Sequence, residues 1–448
     1  MPDLGDLTRA AVEAAEGDES VEAYAEESRR TEVDALRGEV EGLTFAESRG
    51  LGVRLLSGGR LGYAYAADPS PDEVRQAVGR ARENAALAAP DEHNVLPGAE
   101  PFDPMPEVFR ASQAEIPTDR KVALALDVER SAVSSDPRVT KVDLAQVGDG
   151  VARVAIASTT GMAAEFARTD AWAVCVTLAV EGDETQTGFS YRIAREIGDL
   201  GWEEVVSEAV ERAVRMLGAV KPPTAKVPVV LDQFAGSTFL GVLSAALSAE
   251  AVLKGRSLFK DREGDRLGSE LFTLVDDGRV LEGPSACPFD DEGVPSRRTE
   301  LFTGGVLNGF LHNTYTATRM GDGARSTGNA QRGSYRGAPG VGTTNFFLEA
   351  GDSSVGELYA RAEGGVLIQD VSGAHSGANP ISGQFSVGAT GLRILPGGEL
   401  GEPLREMTIA STLPDMLAGV TGVGDDLRFF SSVGVPSILI GEMTVAGV

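Results

Sequence analysis

The sequence predicts an α+β fold: two amino-terminal helix/antiparallel-strand units, then a large β-rich carboxyl-terminal domain with one buried helix. Three observations carry that expectation. β-prone runs broken by glycine turns recur through the amino-terminal half, and helical stretches flank each group of them. One almost wholly apolar helix then precedes a long stretch rich in Gly, Ser and Thr. A chain of 448 residues accommodates two or three domains at about 150 residues each.

The first unit, expected over residues 1–110, reads helix, strands, helix. Residues 51–65 (LGVRLLSGGRLGYAY) are two β-prone runs around Gly58 and Gly59, a hairpin signal because glycine accepts the positive φ of tight turns. Ser70 can cap the next helix, Pro71 suits its first position, and Glu73 can close a capping box; the helix should run to about residue 88. A Pro-containing stretch from about 90 to 117 reads as a linker.

The second unit, expected over 111–222, repeats that order without a visible sequence period. A helix begins near Thr118. Strands follow from about Arg138 to Tyr191, with breaks expected at 148–150, 159–161 and 181–183. Trp202, Val205, Val206, Ala209, Val210, Ala213, Val214 and Leu217 then form one stripe at helical spacing, ended by Gly218. Lys221-Pro222-Pro223 reads as a domain boundary.

The third domain, expected over 223–448, opens with a strand running into Asp232, a candidate cap. A buried helix is expected from Gln233 to about Val252. Turns are expected at 276–278 and 396–398, and a short helix near 414–420.

Composition narrows the function classes. The chain carries 67 acidic residues against 40 Lys and Arg, a formal charge of −27, and no basic run, so direct binding of nucleic acid is not expected. Two cysteines, Cys175 and Cys287, give no disulfide framework and fit a reducing compartment; both read as small buried hydrophobes. No apolar run reaches the length of a membrane span, and no signal peptide is read at the start. The expected location is the cytoplasm.

Catalytic signatures are scarce. Only three histidines occur, His93, His312 and His375, none within a helical turn of another, so no HExxH-type zinc helix exists. No GxSxG elbow, phosphate loop or GxGxxG follows a strand. The cluster Asp290, Asp291, Glu292 invites a hard-cation reading, set against carboxylates that point apart and bind backbone amides in a turn. His375, in a Gly/Ser loop, reads as a turn-holding side chain or as a residue lining a cleft.

Five segments carry a resemblance: PFDDEGV at 288–294, STGNA at 326–330, NPISGQFS at 379–386, EMTIA at 406–410 and EMTVAG at 442–447. Together and in order they resemble the TldD/PmbA family of bacterial zinc-peptidase subunits. The resemblance implies two kinds of chain: a TldD kind with an HExxxH helix and a distant cysteine ligand, and a PmbA (TldE) kind without them that completes the substrate cleft. At the corresponding helix this sequence has Leu240, Gly241, Ser244 and Ala245, and residues 429–436 hold no cysteine. The PmbA kind is therefore implied.

That resemblance implies a non-catalytic subunit of a heterodimeric zinc metallopeptidase that helps bind unstructured peptides. It would carry no cofactor itself, with zinc on a TldD-type partner, and no membrane or nucleic acid as partner. The candidate cleft residues are Asp290, Asp291, Glu292, Thr327, Asn329, His375, Asn379 and Gln384; the last stands where the family usually has an acid. The alternatives are a stand-alone homodimeric binding or regulatory protein, or a metal-free hydrolase repurposed in the same cleft.

Overall fold

The computed structural model describes residues 3–321 and 323–447. In chain order the amino-terminal elements are α1 (Leu4–Glu13), β1 (Ser20–Leu36), β2 (Glu39–Ser57), β3 (Arg60–Ala67), α2 (Pro71–Leu87), α3 (Ala111–Ala114), α4 (Thr118–Ser135), β4 (Val139–Ser158), β5 (Ala163–Glu181), β6 (Glu184–Ala194) and α5 (Trp202–Arg215). There follow β7 (Ala225–Leu231), α6 (Gln233–Ala246), α7 (Ala249–Leu253), β8 (Leu274–Asp277), β9 (Arg298–Thr303), β10 (Val306–Leu307), α8 (Thr314–Met320), β11 (Ala330–Gln331), β12 (Gly340–Val341) and β13 (Phe346–Leu348). The last are α9 (Val355–Arg361), β14 (Val366–Ser372), α10 (Ala374–Gly377), β15 (Gln384–Ile394), β16 (Leu400–Thr412), α11 (Leu413–Ala418), β17 (Val420–Val423), β18 (Arg428–Phe430), β19 (Val433–Val435) and β20 (Ile438–Ala446). The predicted α+β class is the architecture found.

The first six strands form a single antiparallel sheet in the order β3-β2-β1-β4-β5-β6. The two helix–strand units thus mirror each other about the β1–β4 pairing. Their helices cover one face: Val21, Ala23 and Ala25 of β1 pack under α1 and α2, while Val33 and Ala35 of the same strand pack under α4 and α5. Matching glycines let the last strand of each unit approach its helix backbone. A Cβ at Gly62 would stand 1.8 Å from the Ala81 carbonyl oxygen, and one at Gly188 would stand 2.0 Å from that of Ala209. A repeat without visible period in sequence is therefore explicit in packing.

Local signals account for the helix starts. Ser70 and Glu73 form the expected capping box of α2, and Asp232 accepts the Ala235 N–H at 2.8 Å to cap α6. Gly58 and Gly59, at φ 56° and 73°, turn β2 into β3.

Three expected boundaries differ. β4 runs straight through 148–150, because Gly148 makes room for the Trp172 indole, 2.2 Å from where its Cβ would be, and does not turn the chain. The helix expected to reach residue 252 breaks after Ala246. There Leu311 donates to the Leu247 carbonyl and accepts from the Ala249 N–H, both at 2.9 Å, pulling the chain into a bridge before α7 starts. Asp276 and Asp277, expected in a turn, end β8 as buried residues.

In the carboxyl-terminal domain β7, β14, β15, β16 and β20 close into a barrel through the β16–β20 pairing, with β17 on β20. A second sheet runs β10-β9-β8-β13-β19-β18. α6 lies in the shared core: Phe239, Leu240 and Leu243 pack with barrel residues such as Phe385 and Ile409 and with Leu274, Phe302 and Val435 of the second sheet. α5 is tied to this domain by Arg212–Asp232 at 2.7 Å and Glu208–Arg428 at 2.8 Å.

Gly62→Val and Gly188→Val are each expected to destabilise the protein by about 3 kcal/mol, since the new side chain meets helix backbone that cannot rotate away. Gly79→Ala, facing open space on α2, is expected to stabilise it by about 0.5–1 kcal/mol. Urea unfolding of the three variants checks both signs.

Candidate functional site

The face of the amino-terminal sheet away from its helices packs against the loops that carry two of the sequence motifs. In β2 the side chains of Leu51, Val53 and Leu55 enter the helix-covered core, so Gly50, Gly52 and Arg54 point the other way. The glycines admit Tyr335: its ring would lie 2.3 Å from a Cβ at Gly50, and its carbonyl 2.4 Å from one at Gly52. Tyr24, Val154, Ile156, Met162, Phe289 and Tyr335 form the apolar part of this junction.

Its polar part is a buried ion network. Arg54 is bound by Glu22 beside it in the sheet and by Glu292 of the first motif, the latter at 2.6 Å. Glu22 also holds Arg332, which follows the second motif, and Arg332 donates from Nε to the Asp291 carbonyl at 3.1 Å and from its backbone N–H to the Asp291 carboxylate at 2.6 Å. All four ionic side chains of the Glu22–Arg54–Glu292–Arg332 chain are at least nine-tenths buried.

The three adjacent acids point apart. Asp290 accepts the N–H groups of Glu292, Val294 and Ala330, each at 2.9 Å, and so fixes both motif loops. Burial, with the Glu292 charge beside it, nevertheless raises its pKa well above the usual carboxyl range. Burial also opposes the charge on Glu292, but Arg54 and the Thr314 N–H outweigh it and hold that carboxyl low. Asp291 is half-buried and raised by burial against the pull of Arg332.

Asn329 is buried and donates to Asp276 at 2.7 Å; Thr344 donates to the same carboxylate from its backbone and hydroxyl. Burial pushes Asp276 up to about 6. Thr327 accepts the His312 N–H at 2.8 Å and donates to Asn329 at 2.7 Å. His312 is buried, its Nδ1 has no hydrogen-bond partner, and burial pushes the imidazole down to about 4.

Beside the network lies a cavity of about 290 Å³. Tyr24, Glu26, Arg168, Phe289, Asp291 and Thr344 are among its walls. Burial raises the Glu26 carboxyl above its ordinary value. Cys287 also lines it, but burial pushes its thiol up to about 11, so little nucleophilic thiolate exists at neutral pH. The cavity offers hydrogen bonds and apolar walls, a binding chemistry.

Asp290, Asp291, Glu292, Thr327 and Asn329 are thus brought together by the structure. His375, Asn379 and Gln384 are not with them: His375 and Asn379 are exposed on the connection between β14 and β15, and Gln384 is exposed as the first residue of β15. The Asn379 carboxamide accepts the Ile381 and Ser382 N–H groups and holds that turn. Sequence reasoning missed Glu22, Arg54, Arg332, Tyr335 and Asp276. Arg54 had a signal, an arginine alternating with Leu51, Val53 and Leu55 in a strand whose other face also lacks polar residues at 50 and 52. The Glu22–Arg332 pair had none, because the two residues lie about 300 positions apart in the chain.

A zinc centre needs converging imidazole, thiolate or carboxylate donors. On α6 Leu240 is inside the core, Gly241 and Ala245 are exposed, and the Ser244 hydroxyl donates to the Gly241 carbonyl at 2.8 Å. This donor set does not fit zinc. Among the described residues no group of three or more His, Cys, Asp or Glu is placed to hold a metal ion, and no helix is long and apolar enough to cross a membrane.

Comparison with known proteins gives a consistent assignment along the chain. Residues 21–85 match the PmbA/TldA metallopeptidase domain 1, residues 112–217 its central domain and residues 224–447 its C-terminal domain. The metalloprotease PmbA of Escherichia coli O157:H7 is 26% identical over 99% of this chain and 96% of its own length. A metalloprotease TldD homolog of Haemophilus influenzae is 27% identical over 90% of this chain and 88% of its own. A solved structure from Thermotoga maritima superposes with a TM-score of 0.89 at 27% identity, covering 98% of each chain. The fold of TldE from Thermococcus kodakarensis superposes with a TM-score of 0.90 at 24% identity over 99% of each chain.

Arg54→Ala strands Glu22 and Glu292 in the interior and is expected to cost about 3–5 kcal/mol in urea unfolding. His312 gives a pH signature. Its proton is held less well folded than unfolded, so its contribution is full above its unfolded pKa of about 6.5 and is lost as pH falls through about 4. His312→Asn is expected to flatten the loss of unfolding free energy between pH 6.5 and 4, read from urea titrations at each pH.

Proposed function

The chain belongs to the PmbA/TldD metallopeptidase family, and from that membership we propose that it is a PmbA/TldE-type subunit: it carries no zinc, pairs with a TldD-type chain that does, and helps hold unstructured peptides for cleavage. The observation that carries the reading is α6. The family fold is kept from end to end, while the helix expected to bear HExxxH presents Leu240, Gly241, Ser244 and Ala245. Activating water at neutral pH requires a bound metal or an equivalent base, and neither belongs to this helix.

Binding remains within reach of such a chain. An extended peptide is recognised through main-chain hydrogen bonds to sheet edges and polar loops, with little regard for side-chain identity. The cavity walled by Tyr24, Glu26, Arg168 and Asp291 suits that role, with Asp290, Glu292, Thr327 and Asn329 holding the loops behind it. His375, Asn379 and Gln384, exposed on the barrel, form a second stretch available to a long peptide.

The assay uses an unstructured fluorogenic peptide with the pure chain, with a TldD-type subunit from the same organism, and with both. The expected result is no turnover by the chain alone and at least a tenfold higher rate for the mixture than for the TldD-type subunit alone. Turnover by the chain alone, abolished by a chelator, would sink the proposal. Chelator-resistant turnover lost in His375→Ala would favour a repurposed hydrolase instead.

A further inference from the structure

The outer half of β2 is unfinished sheet. β3 pairs with β2 only from Gly50 to Ser57, whereas β1 pairs with it along its whole length from Glu39. Among the described residues no strand lies along the other side of 39–48. An edge of that length offers a row of backbone N–H and C=O groups to another chain, and proteins that keep such edges open usually blunt them.

This one is apolar on the face where the helices lie. The register sets Val40 opposite Ala35, Leu43 opposite Val33 and Phe45 opposite Thr31, with a bulge at Glu41 keeping Val40 on that face. The β1 residues are 0–3% exposed beneath α4, yet Val40, Leu43 and Phe45 are 40%, 55% and 59% exposed. The helix layer stops one strand short, and three large apolar side chains stand uncovered beside the core.

Charge selects the occupant. Glu39, Glu41 and Glu47 lie on the same strand and are exposed, whereas Glu32 and Asp34 on β1 alongside are already held by Arg30 and Gln146. A second copy would bring an equally acidic strand against this one, between molecules that each carry −27. A strand with basic residues interleaved among apolar ones satisfies the backbone, the patch and the carboxylates together.

We infer that residues 39–48 are the docking edge for the metallopeptidase partner, which adds a basic and apolar strand to this sheet. The inference rests on the two-subunit reading given above and names the surface it uses.

The test measures association of the full chain with a TldD-type subunit from the same organism by calorimetry and size exclusion. Leu43→Lys/Phe45→Lys is expected to weaken binding at least about 30-fold. Glu39→Lys/Glu41→Lys/Glu47→Lys is expected to weaken it at least about tenfold and to remove most of its salt dependence. Both variants alter exposed positions, and unchanged far-UV circular dichroism and melting temperature identify them as folded. Wild-type affinity in both variants would overturn the docking edge and leave the subunit reading standing. Absence of association by the wild-type pair would remove both. A homodimer of the wild type, broken by Leu43→Lys/Phe45→Lys, would assign the edge to a second copy and overturn the heterologous strand.

Discussion

Arg54 is the residue on which the arrangement depends. It stands in the middle of a strand, on the sheet face opposite the helices, where water would normally solvate it. Here the carboxyl-terminal domain covers that face, so the guanidinium is desolvated between Glu22 of its own sheet and Glu292 of the opposing loop. Removing such groups from water costs several kcal/mol each, and mutual attraction with close hydrogen bonds offsets it only in a near-complete network. Separating the two layers would leave Arg54, Glu22 and Glu292 without the partners that offset this cost.

That constraint explains why Asp290 and Glu292 of the first motif, and Asp276 of β8 beside them, are poor candidates for chemistry. Glu292 is consumed by Arg54 and the Thr314 N–H, Asp290 by three backbone amides, and Asp276 by Asn329 and Thr344. They make two loops rigid and bring Asp291 and Tyr24 to the wall of a cavity. The site is built to position polar groups, and its one thiol is held protonated.

Local order was legible in the sequence where local physics decides it. The capping box at Ser70, the Asp232 cap, the glycine turn at 58–59 and the apolar stripe of α5 each depend on residues within a few positions. Gly148 was misleading because glycine serves close approach as well as turning, and only the distant Trp172 distinguishes the two. The break after Ala246 depends on Leu311, sixty-odd residues onward. The motif acids and Asn329 were visible as a cluster, but their partners were not: Glu22 and Arg332 meet only because a sheet formed at the amino terminus is covered by loops of the last domain. His375, read from its rarity and its Gly/Ser loop, lies exposed beside the barrel and apart from these acids.

The proposed subunit role turns on α6, where Leu240, Gly241, Ser244 and Ala245 offer no imidazole, thiolate or carboxylate donor. Isothermal titration of Zn²⁺ into the full, partner-free chain at neutral pH tests this most directly. The account expects only weak, non-stoichiometric heat, unaffected by Leu240→Ala/Ser244→Ala. Saturable one-to-one binding in the sub-micromolar range would show that the protein assembles its own metal centre and would contradict the account.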